Sequence, residues 1–168
     1  MKKKVASGTE RTKRKYRDNL YIAHRYVLYN YWWQFLKIAH EEKRKINVKK
    51  YEDWSKLDEI FSQSFKTWWE KNWKRLFAEK TAKDRTSKFI MTTENAHPDS
   101  IKACLEVYKN RDLGDDRTIF EHLEKKYKNM SSITGKGAID TKEMNRTMKR
   151  YRKQAETILD NVCDCKFP

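Results

Sequence analysis

At 168 residues the chain is long enough for one domain with a real core, and its modest 38% hydrophobic content is rich in large rings: six Trp, nine Tyr and seven Phe. Lys plus Arg number 39 against 24 Asp plus Glu, and the resulting net charge of +15 exceeds what solubility asks and points to a polyanionic partner. Two Pro and four Gly exclude a turn-rich β-sandwich, and the chain has no apolar run of the roughly twenty residues that a membrane helix needs.

Residues 1 to 18 hold eight basic residues against two acidic ones and almost nothing apolar, so a flexible basic arm is expected, with Arg11, Lys13, Arg14 and Lys15 as phosphate contacts. No secretory apolar stretch follows Met1-Lys2-Lys3-Lys4, and a cytoplasmic, nucleoid-associated protein without a membrane partner is expected. The remainder, 19 to 168, reads as a single helical domain. Its first part, 19 to 78, is aromatic. Asn19 to His40 carries Leu20, Val27, Tyr31 and Ile38 at helical spacing, and Tyr31-Trp32-Trp33 widens the buried face. These rings are expected in a core, with a base-stacking platform as the alternative.

After a charged connection over 41 to 50, Leu57, Ile60, Phe61, Phe65, Trp68, Trp69 and Leu76 mark one or two further helices, with Asp53 or Ser55 as candidate caps. Lys88 to Thr93 is the one strand candidate. The second part, 99 to 163, begins with a helix capped by Asp99 or Ser100 and carrying Ile101, Cys104, Leu105 and Tyr108. Gly114 breaks it, and a short helix with Ile119, Phe120 and Leu123 follows, capped by Asp116 or Thr118. A loop from 129 to 140 leads to the last helix, capped by Asp140 or Thr141.

That last helix, Ile139 to Val162, combines two stripes. Met144, Met148, Tyr151, Ala155, Ile158 and Val162 recur at steps of four and three, which makes one apolar seam. Its cations lie elsewhere on the surface. The expected fold is mainly α, with an aromatic helical core, a divergent helix-turn-helix unit and at most one or two short strands. In that geometry Thr141, Lys142, Asn145, Arg146 and Lys149 would face bases, since Arg forks onto guanine and Asn onto adenine. Lys136, Arg150, Arg152 and Lys153 would contact phosphate, where a point charge suffices.

Chemistry other than binding finds less support. Pro98-Asp99 with Glu124-Lys125-Lys126 has the residue types of a metal-dependent nuclease, but that chemistry wants its acids on neighbouring strand ends and both pieces lie in helical patterns. Cys163-Asp164-Cys165 lacks zinc-knuckle spacing, and His24, His40, His97 and His122 show no metal pattern. No catalytic constellation, metal or cofactor is expected. Three functions follow in order: sequence-specific binding of double-stranded DNA, a basic module that binds RNA or protein through aromatic rings, and a nuclease.

Tyr31-Trp32-Trp33-Gln34-Phe35-Leu36, Trp68-Trp69 with Leu76-Phe77, the Tyr151-to-Val162 helix and Lys166-Phe167-Pro168 together resemble the DNA-binding N-terminal domains of phage-satellite and mobile-element replication initiators and of related origin-directed nucleases. The resemblance implies recognition of a repeated origin or operator sequence by Asn145, Arg146 and Lys149. Repeated sites would suit a homodimer. No ATPase motif accompanies these blocks, since Gly135-Lys136-Gly137 lacks the spacing and the Ser or Thr of a phosphate-binding loop.

Overall fold

The computed structural model describes residues 14–81, 89, 91, 97–126 and 140–168. A small hairpin comes first: β1 (Arg14–Lys15) pairs antiparallel with β2 (Tyr21–Ile22), and β2 pairs on its other side with β3 (Ala78–Glu79). Asp18 and Asn19 turn the hairpin with φ of 51° and 59°, the left-handed values that Asp and Asn tolerate best after Gly. The Leu20 amide closes the turn on the Arg17 carbonyl oxygen at 2.8 Å. Residues 14 to 18 therefore belong to the folded body, and the expected boundary at 18 cuts through a turn.

The fold is mainly helical, as the periodicities predict. α1 (Tyr26–Glu41) buries Leu28, Tyr29, Tyr31, Trp32, Trp33, Phe35, Leu36 and Ala39, too many directions for a surface helix. A 3₁₀ turn over Val48–Trp54 follows, then the single-turn α2 (Leu57–Phe61) and α3 (Phe65–Leu76). Ser64 caps α3, its hydroxyl accepting from the Thr67 amide at 3.2 Å, in place of the expected Asp53 or Ser55. Ser55 instead turns the chain at φ 83°.

α4 (Pro98–Lys109) starts at its proline, with His97 ahead of it, rather than at Asp99 or Ser100. Proline at the first helical position gives up only an amide that no helical carbonyl would have met. Gly114, at φ 138°, makes the turn into α5 (Asp116–Lys126), a backbone angle that strains any side chain. Asp115 caps α5 by accepting from both the amide and the hydroxyl of Thr118, at 2.8 and 2.7 Å. The final helix, α6 (Thr141–Cys163), packs on α4, α1 and α5. The strand expected over 88 to 93 lies largely outside the described residues; its Phe89 and Met91 are buried, and neither belongs to the sheet.

All six Trp are buried. Trp69 stacks on Phe77 at 5.0 Å, Trp32 on Phe167 at 5.5 Å, and Trp54 tilts against Trp68 at 4.7 Å. Such pairs add about 0.5–1.5 kcal/mol each beyond the area they bury. The rings are core, and the base-stacking platform has no exposed tryptophan to use.

Candidate nucleic-acid interface

α6 owes its orientation to its seam. Met144, Met148, Tyr151, Ala155, Ile158, Leu159 and Val162 are all buried, so the opposite surface faces outward. Asp140 fixes the start, accepting from the Lys142 amide at 3.4 Å. With 3.6 residues per turn, Lys142, Arg146, Lys149 and Lys153 fall within about 60° of arc opposite the seam, and all four are exposed.

None of the four has an ion-pair partner among the described residues. The ion pairs of α6 run elsewhere. Arg152 meets Asp116 at 2.6 Å, while Glu156 and Asp160 meet Arg44 at 2.8 and 3.2 Å. Arg44 also bonds Glu42 and the Tyr108 hydroxyl, so the acids in the C-terminal half of α6 clasp the ends of α1 and α4. At the helix terminus hydrogen bonds from Lys166 and then Lys50 pull the Asp164 carboxyl down to about 2. Glu156, Asp160 and Asp164 are thus engaged in holding the fold, and the outer cations are not.

The other expected contacts sit in different surroundings. Thr141, Asn145 and Lys149 lie along a groove of about 650 Å³ between α6 and α5, whose other wall is Asp115, Asp116 and Arg117. Two carboxylates there repel phosphate, which leaves Thr141 and Asn145 as hydrogen-bonding groups at the edge of the basic stripe. Arg152 is half-buried against Asp116, its Nε without a hydrogen-bond acceptor among the described residues, and so joins α5 to α6 rather than standing free for phosphate. Arg150 is exposed and lays its guanidinium over the Tyr151 ring at 5.1 Å. Lys15 is exposed on β1, the strand that also contains Arg14. Arg11, Lys13 and Lys136 lie outside the described residues.

α4, α5 and α6 pack on one another pairwise. α4 and α5 have balanced surfaces, α4 with Lys102 and Lys109 against Asp99 and Glu106, and α5 with Arg117, Lys125 and Lys126 against Asp116, Glu121 and Glu124, Arg117 being bonded to Glu121 at 2.9 Å. The acidic groove wall has no signature in apolar spacing, although Gly114-Asp115-Asp116 is visible in the sequence as a turn with two carboxylates. Asp99 and Glu124, the acids of the nuclease reading, stand on the helices α4 and α5, and Asp99 faces His97 at 3.7 Å. Among the described residues no three His, Cys, Asp or Glu side chains gather in a way that could hold a metal ion, and no helix is long and apolar enough to cross a membrane. Compared with protein families, with curated proteins and with solved structures, the chain matches none.

Proposed function

We propose that the protein binds double-stranded DNA with the outer face of α6, Lys142, Arg146, Lys149 and Lys153 forming the contact and Asn145 reading from its edge. The observation that carries this reading is the unpaired stripe itself. A solvated basic face is ordinarily laced with acids at i, i+4, as Arg117 and Glu121 are on α5. On α6 Glu156 and Asp160 are drawn to Arg44 and Glu143 forms no ion pair among the described residues, so four cations remain for an external anion. The burial of every Trp weighs against the alternative of an RNA or protein module that works through exposed rings. The resemblance of the aromatic blocks to replication initiators supports a repeated origin or operator as the target.

The test is binding to a duplex across a salt series. Each neutralised phosphate contributes a slope of about −0.9 in log K against log salt, so a contact in which up to four cations meet phosphate gives a slope of up to about −3.6. A flat salt response, or no binding at low salt, overturns the reading.

A further inference from the structure

We propose that a second cationic face, on α3 and the β1–β2 hairpin, binds a second DNA segment, so that one molecule bridges two duplexes. This rests on the reading of α6 as the first binding face.

The geometry begins with α1, which lies between the two. On one side Tyr26, Tyr29 and Trp33 of α1 meet Phe65 and Trp69 of α3, with ring centroids 5.2 to 6.0 Å apart. On other sides α1 packs against α4 and α6. Among the described residues α3 makes no extensive contact with α4, α5 or α6. α3 buries its rings against α1, Trp54, Phe77 and Tyr16, whereas α6 buries its seam against α4, α1 and α5. The two basic faces thus stand on helices that have different packing neighbours and that both meet α1, whose interaxial distance to each packed helix is about 8–10 Å.

Residues 14–18 and 65–80 together hold eight basic side chains against three acidic ones, and one of the acids, Glu79, is buried. Two pairs form across the junction of hairpin and helix: Arg17 with Glu70 at 2.7 Å, and Lys74 with Asp18. They spend both exposed acids, and Arg75 is turned to the Asp53 carbonyl oxygen and Asn72. Lys15, Lys66, Lys71 and Lys80 remain exposed and without an ion-pair partner among the described residues, the same condition as the α6 stripe. A surface of lysines without ion-pair partners among the described residues fits a regular polyanion, and it reads charge rather than sequence.

The experiment uses the full chain and short duplexes. At saturation the wild type binds two duplexes per molecule, and it carries a labelled duplex onto beads bearing an unlabelled one. Lys66→Glu, Lys71→Glu, Lys80→Glu in combination lowers the stoichiometry to one and cuts bead capture at least tenfold. A parallel Gln triple, which keeps the same positions neutral, shows the same direction with a smaller loss, and both variants are compared only where their melting matches the wild type. Three results overturn the proposal: one duplex per molecule in the wild type while α6-dependent binding persists, capture unaltered in both triples, which assigns bridging to paired copies, or binding of the α3 face to anionic vesicles with no effect of the triples on duplex stoichiometry. Loss of all duplex binding in the wild type instead removes the α6 reading on which this one stands.

Discussion

The hydroxyl of Tyr51 donates to the carbonyl oxygen of Val162 at 2.6 Å, and Trp32 Nε1 donates to the same hydroxyl at 3.0 Å. One oxygen thus joins the 3₁₀ turn to α1 and to the last turn of α6, and burial pushes the Tyr51 hydroxyl well above its ordinary pKa. Tyr51→Phe keeps the ring and leaves an indole N–H without its acceptor. Its expected cost is about 1–3 kcal/mol, the penalty for unsatisfied buried polar groups, read as a lower urea midpoint with an unchanged slope. A midpoint equal to the wild type would show that the bonds contribute nothing net.

Arg146→Ala and Asp116→Asn should move DNA binding in opposite directions. The first removes a forked donor from the outer stripe, with an expected loss of about 1–3 kcal/mol confined to the preferred sequence. The second releases Arg152 from its 2.6 Å ion pair and removes a negative charge from the groove wall. It should strengthen binding to every sequence alike and steepen the salt slope by up to about one phosphate. Competition titrations with specific and random duplexes check both; equal losses on all sequences for Arg146→Ala would refute its role in base reading.

Alkaline stability follows from the thiols. Burial raises the Cys104 thiol from 9.0 to about 12 and the Cys165 thiol from 9.0 to about 11. The unfolded chain ionises first, so it holds fewer protons than the folded one between those values. Stability is therefore fully present below pH 9 and falls as pH rises toward 12. Urea titrations at pH 8 and pH 10.5 should show the decline, and a thiol reagent at pH 8 should label Cys104 only after denaturation.

Tryptophan emission should be nearly blind to DNA. With every indole buried, added duplex has no ring to stack on, and iodide should quench little of the native signal. Strong quenching by single-stranded DNA at matched salt would contradict the packing and revive a stacking mode.

The seam of α6 was legible because six apolar positions keep step over five turns, and the structure adds only Leu159 to them. The aromatic core was legible for a similar reason: rings at helical spacing have few places to go. Local details one residue wide were less so. Asp115 caps α5 where Asp116 and Thr118 look equally suitable, because adjacent polar residues differ only in their backbone angles. The hairpin was hidden by its charge: Asp18-Asn19 is a turn signal, but it sits beside a basic run, and Tyr16 is what draws the run inward by accepting from Trp69 Nε1 at 3.0 Å. Pairings across the chain, such as Arg152 with Asp116 or Arg44 with Glu156, carry no trace in spacing. These are the contacts that decide which cations of the candidate interface are free.

The division of charge along α6 has a consequence for how the protein can change. Lys142, Arg146, Lys149 and Lys153 touch no other described residue through an ion pair, whereas Glu156, Asp160 and the apolar seam bind the helix to its neighbours. Substitutions on the outer stripe fall in the class of surface changes that shift stability by about 0.5 kcal/mol or less. Under the proposed DNA reading, the outer face can therefore be rewritten residue by residue on an unaltered scaffold, and retargeting would take a few codons rather than a new fold.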